Sequence, residues 1–107
     1  MGKLLMADDA QNQFRDGLNN VTQAIVDVVS AIGIATTAEN INYVPGWRLG
    51  RSIPPSLRFD IAPAGAPVVQ VEFSREQLED CWGGLDRADV RQRLRDIVSE
   101  YKRLLGA

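Results

Sequence analysis

Residues 57–73 alternate apolar and polar side chains in two short runs, and this alternation limits the fold more than any other feature of the chain. Leu57, Phe59 and Ile61 are interleaved with Arg58 and Asp60, while Val69, Val71 and Phe73 are interleaved with Gln70 and Glu72. A period of two belongs to strands with one buried face. Opposing Phe59 to Val71 gathers both apolar sets on a common face and sets Arg58 opposite Glu72. It also leaves Pro63 opposite Pro67 around Ala64, Gly65 and Ala66. Neither proline then has to donate to the ladder, and Gly65 or a neighbour supplies the tight turn. A slip of one residue would set Phe59 against Gln70, so the register is tightly specified. A lone hairpin is marginal and its apolar face needs a cover. Ile41 to Val44 offer a third, short edge strand, and the equivalent hairpin of another subunit is the other way to extend the sheet.

The cover has to come from helices. Phe14, Leu18, Val21, Ile25, Val28 and Ile32 recur at spacings of four and three, as do Val90, Leu94, Ile97, Tyr101 and Leu104. That rhythm averages about 3.5 residues per turn and lays a narrow apolar seam along a helix. The first helix is expected to start near Asp8 and Asp9, acids suited to a helix amino terminus, and to stop at Gly33. Its Gly17, Asn19 and Asn20 are poor helix formers, so packing has to hold it. Gln13, Asn19, Asn20, Gln23 and Ser30 give its outer face an uncharged polarity, which suggests cover beyond one seam.

Downstream, Ser74 and Gln77 form a capping box with Phe73 stapled on Leu78, predicting a helix from Arg75 to about Trp82. Gly83 and Gly84 break it, and Leu85, Asp86, Asp89 and Val90 repeat the same grammar for a helix from Arg87 to about Leu105. Thr36 with Glu39 predicts one short capped turn, and Pro45, Gly46, Gly50, Pro54 and Pro55 predict a loop before the hairpin. The sum is a single small α+β domain over residues 1–107 in the order helix, hairpin, short helix, long helix (α-β-β-α-α). All helices pack on one face of the antiparallel sheet.

With 45% hydrophobic and 24% charged residues, the chain has the composition of one globular domain. Its net charge of −2 argues against an obligate nucleic-acid binder. A single cysteine, Cys81, permits no internal disulfide and fits a reducing cytoplasm. The longest apolar stretch, Ala24 to Ala35, is broken by Asp27 and Ser30 and is too short for a bilayer, and the amino terminus lacks a signal-like apolar run. A soluble cytoplasmic protein with no membrane association is therefore expected.

Catalytic equipment is sparse. The chain has no histidine, so the side chain that titrates nearest neutrality is missing. Cys81 has no histidine to activate it and sits in an apolar stretch. No metal-ligand spacing, phosphate-cradling glycine loop or cofactor motif is present, and neither catalytic residues, metal nor cofactor are predicted.

Two groups of residues are candidates for binding. The first is the loop that carries Tyr43, Trp47, Arg48 and Arg51, an aromatic and basic mixture suited to a partner or ligand. Its bland alternative has Trp47 plugging the open end of the hairpin while the arginines face water. The second is a row on the last helix, Arg87, Arg91, Arg95 and Lys102, flanked across the seam by Asp89, Asp96 and Glu100. Like charges four residues apart repel, so the row needs an answer: acids of the preceding helix such as Glu76, Glu79 and Asp80, a second subunit, an acidic partner, or phosphate. Trp82 shares a helix face with Leu78 and Leu85 and is expected in the core.

Together these features favour a small non-enzymatic interaction or regulatory module that acts as a homodimer and binds another protein. A nucleic-acid or phosphate binder working through the basic row is the alternative, and a small-ligand pocket protein or an enzyme without histidine is a further one.

Overall fold

The computed structural model describes residues 2–106, with side chains from residue 9 onward. Helix α1 spans Gly2–Ala31, strand β1 Ile41–Val44, β2 Ser56–Ile61, β3 Val69–Ser74, helix α2 Arg75–Asp80 and helix α3 Ala88–Leu104; a 3-10 turn, Ala38–Asn40, precedes β1. The strands form one antiparallel sheet in the order β1-β2-β3. This is the expected α+β arrangement, with the third strand supplied by the chain itself. Among the described residues no helix is long and apolar enough to cross a membrane.

The hairpin pairs Phe59 with Val71 and Arg58 with Glu72, as the alternation requires. Its turn is closed by Ala66 N–H donating to Pro63 O (3.4 Å), with Gly65 at φ +77°, the positive value that this turn position reserves for glycine. Ile41 pairs with Ile61 and Tyr43 with Phe59, which brings the inner face of β1 onto the same side. On the outer face Arg58 bonds Asp60 of its own strand (2.8 Å), and Ser56 donates to Glu72 (3.2 Å). That face is polar and, among the described residues, uncovered.

All three helices lie on the inner face. Phe14, Leu18, Val21 and Ile25 of α1 and Val90, Leu94, Ile97 and Tyr101 of α3 are buried with the inner residues of the strands in one core. Most of both helical seams is therefore buried within this chain, but Leu104, expected at the end of the second seam, is 40% exposed. The α1 seam departs from the expected rhythm at its end: Val29 is fully buried, whereas Val28 and Ile32 are only half-buried. A straight helix drifts about 20° per heptad against a 3.5-residue repeat, which over two heptads turns Val28 about 40° away from the direction of Phe14.

Several boundaries differ from expectation. Helix α1 begins at Gly2, not at Asp8 and Asp9, because Lys3, Leu4, Leu5, Met6 and Ala7 are good helix formers that extend it through the acids. The 3-10 turn is capped one residue later than expected, Asn40 Oδ1 accepting from Thr37 N–H (2.8 Å) in place of a Thr36 and Glu39 pair. Helix α2 stops at Asp80, two residues short of Trp82. Its capping box is present, Ser74 Oγ accepting from Gln77 N–H (3.1 Å) and Gln77 Oε1 from Ser74 N–H (2.8 Å). The analogous box on α3 does not form. Arg87, not Asp86, is the N-cap, and Asp89 turns its carboxylate to Arg87 (2.7 Å) and Gln77 (3.0 Å).

Gly17 explains how α2 reaches the core. A Cβ there would stand 1.6 Å from the carbonyl oxygen of Leu78, so only glycine lets the two helices approach this closely. The adjacent Asn20 donates its amide to the carbonyls of Cys81 (2.8 Å) and Trp82 (3.1 Å), satisfying the frayed end of α2. Of the uncharged outer residues of α1, Asn20 is the one that is covered; Gln13, Asn19, Gln23 and Ser30 are exposed.

Candidate functional site

The loop after β1 is fastened to α1. Trp47 meets Phe14 edge-on with ring centroids 4.8 Å apart, and its indole N–H donates to Arg51 O (3.1 Å). Gln11 clamps the same segment with both ends of its amide, donating to Arg51 O (3.1 Å) and accepting from Gly50 N–H (2.9 Å). Trp47 thus closes the core against α1, close to the bland alternative. It also walls, with Pro45, Arg48, Arg51 and Pro54, an open cavity of about 780 Å³. Among the described residues neither Arg48 nor Arg51 meets an acid. Tyr43 is not brought to this cavity: it faces inward, edge-on to Phe59 (5.1 Å), its hydroxyl 2.6 Å from Thr22 Oγ1. Gln11 escaped the sequence reading, since a lone amide on a helix carries no local sign of its partner.

The basic row of α3 is answered in part by the fold. Arg87 bridges Asp80 (3.1 Å) and Asp89 (2.7 Å), and beside it the Asp89 carboxyl is held below its ordinary pKa, first by Arg87 and then by Gln77. Arg91 donates to Leu85 O (2.6 Å), and Arg95 donates to Gln92 (2.9 Å). Lys102 is exposed and lies one to two turns beyond Arg95. Arg91 and Arg95 flank a groove of about 520 Å³ whose floor is aliphatic: Val28 of α1 with Leu85, Leu94 and Val98.

A third surface was not foreseen. Residues 68–72 of the β3 edge and Arg93, Asp96, Ile97 and Glu100 of α3 line a cleft of about 510 Å³. Two hydrogen bonds at the ends of the ladders establish which backbone groups face it. Arg75 N–H donates to Pro55 O (2.9 Å), and Ala62 N–H donates to Asn40 O (2.8 Å). Antiparallel pairs alternate between bonded and non-bonded. Counting from those ends, the pairs Leu57–Phe73, Phe59–Val71 and Ile61–Val69 are the bonded ones between β2 and β3. The N–H and C=O of Gln70 and Glu72 therefore point away from the sheet, into the cleft. The sequence carries this only as a parity, which needs the register and the strand order before it can be read.

Trp82, expected in the core, is 54% exposed. The helix that would have turned it inward ends at Asp80, and Asn20 holds the following carbonyls so that Cys81 takes the buried place. Burial, with Asp80 nearby, pushes the Cys81 thiol up, away from the reactive thiolate. Among the described residues no group of three or more metal-ligating side chains is drawn together. Compared with protein-family models, with curated proteins and with solved structures, the chain returns no match.

Proposed function

We propose that this chain is a non-enzymatic protein-interaction module that works as a homodimer, joined by antiparallel pairing of the β3 edge with a second β3. The observation that carries the reading is the outward backbone of Gln70 and Glu72 beside an open cleft, a row of unpaired donors and acceptors of the kind that templates another strand. The other edge is blunted: β1 has four residues, its first N–H is taken by Ala38 O, and Pro45 follows it. β3 has six residues and neither lysine nor proline. Val68 at its start is 57% exposed.

One cross-axis charge pair and the antiparallel geometry support a second copy as the occupant. α3 runs antiparallel to β3, with Arg93 over the Phe73 ring (6.0 Å) at one end and Tyr101 donating to Pro67 O (3.0 Å) at the other. A two-fold axis through the middle of β3 then brings Arg93 toward Glu100 of the partner subunit, and Gln70 opposite Glu72 of the partner subunit. The first of these pairs answers one of the three carboxylates that line the cleft on each copy, Glu72, Asp96 and Glu100. The non-enzymatic part of the reading is supported by the absence of histidine from the sequence and the burial of the single thiol. A reducing compartment such as the cytoplasm suits that thiol.

The test is solution mass by light scattering at two well-separated concentrations, on the parent chain and on Gln70→Pro. Proline at position 70 removes an N–H that the β2–β3 ladder does not use. A mass near twice 11.8 kDa that falls to the monomer in Gln70→Pro, with the circular dichroism retained, is the expected result. A monomer at both concentrations, or a dimer indifferent to the proline, overturns the reading.

A further inference from the structure

The groove between α1 and α3 is the place where two apolar seams run past the core. Val28 is half-buried on α1, Leu85 is half-buried in the turn before α3, and Val98 is half-buried on α3 with Leu94 below them. Aliphatic surface gathered in a concavity gains by being covered. Arg91 and Arg95 stand on the rim, four residues and therefore about 6 Å apart along the axis. The groove is lined by no acid, and among the described residues neither arginine makes a salt bridge. Their hydrogen bonds go to neutral acceptors, a carbonyl and a glutamine amide, and bring no opposite charge to either.

We infer that this groove docks an amphipathic helix of another protein, one with an aliphatic stripe for the floor and two acidic residues four apart for Arg91 and Arg95. The inference names the partner of the interaction module and rests on that reading, but not on its dimer. The groove is a poor seat for a second copy, because a two-fold axis would press arginine on arginine. It is equally a poor seat for a nucleic-acid duplex, whose phosphates would gain nothing from an aliphatic floor. Helix-in-groove recognition of this kind reads anchors at positions i, i+3 or i+4, and i+7, with flanking charges setting the register.

The probe is a display library of helical peptides with one aliphatic face and randomised flanks, selected on the full-length chain and on the Arg91→Glu/Arg95→Glu variant. Circular dichroism checks that the variant is folded. Peptides enriched for Asp or Glu at i, i+4 on the parent, switching to Lys or Arg on the variant, are the expected result. A selected acidic peptide should bind the parent at least about tenfold more tightly than the variant, because the variant replaces attraction by repulsion at both positions. Recovery of no peptides, or of peptides with no charge bias or the same bias on both proteins, overturns the inference. So does a short DNA duplex that binds the parent and loses to the variant, or a homodimer mass that changes in the variant. Selection repeated on Gln70→Pro separates the two readings: acidic enrichment there sustains the groove whether or not the edge pairs.

Discussion

Gln77 and Asp89 tie the start of α2 to the start of α3 through their side chains. Gln77 is almost fully buried, accepts from Ser74 N–H with its oxygen and donates to Asp89 with its nitrogen; Asp89 in turn receives the Arg87 guanidinium, which also reaches Asp80. The cap of α2 and the start of α3 are thus joined through side chains, not through a second capping box. The lowered pKa of the Asp89 carboxyl has a consequence for stability. A carboxyl whose pKa is lower folded than unfolded contributes stability that is present above its unfolded value and lost as pH falls through the folded one. Urea midpoints of the parent chain should therefore drop more steeply between about pH 5 and about pH 2 than those of Asp89→Asn. Parallel acid limbs in the two proteins would contradict the role given to Asp89. The substitution also separates the network from α3 propagation, because the first helical bond, Arg91 N–H to Arg87 O, is unaffected.

Among the elements, the strands were the most legible in the sequence and the junctions between helices the least. Alternation, two prolines and one glycine determine the hairpin, and each is local. The α1–α2 contact depends instead on what Gly17 lacks, and a glycine within a helix reads first as lost propensity. Its actual role gives an opposite expectation for the sign of a substitution. Gly17→Ala should gain about 1 kcal/mol of helix propensity in an isolated helix, yet in the folded chain it places a methyl on the Leu78 carbonyl. Overpacking at a rigid backbone atom costs about 1–3 kcal/mol or more, so the variant should unfold at lower urea than the parent. A raised midpoint would show that α2 is not held against α1 in this way. Trp82 was misplaced for a related reason: periodicity carries a residue inward only while the helix lasts, and α2 ends at Asp80 once Asn20 supplies the next donors. The loop arginines and the basic row were legible as residues, but not as surfaces. Trp47, Arg48 and Arg51 converge where the loop's own bonds join with the clamp from Gln11, some forty residues earlier in the chain.

For the whole molecule, the decisive contrast lies between what the fold satisfies and what it leaves open. Most of both helical seams, which from the sequence alone invite a second subunit, is buried against the chain's own sheet, with Val28 half-buried and Leu104 exposed. Two features left unpartnered among the described residues are an edge strand with its donors aimed into a cleft and an apolar groove with two arginines on its rim. They lie on opposite flanks of α3, since Arg93, Asp96 and Glu100 face the one and Arg91, Arg95 and Val98 the other. A molecule can therefore pair through β3 and still present the groove. Amide hydrogen exchange at Gln70 and Glu72, read at concentrations above and below the dimer midpoint, tests the paired edge most directly. Edge pairing predicts that these two amides are protected in the concentrated sample and exchange quickly in the dilute one, while Val71, bonded to Phe59, stays protected in both. Fast exchange at Gln70 and Glu72 at every concentration would contradict it.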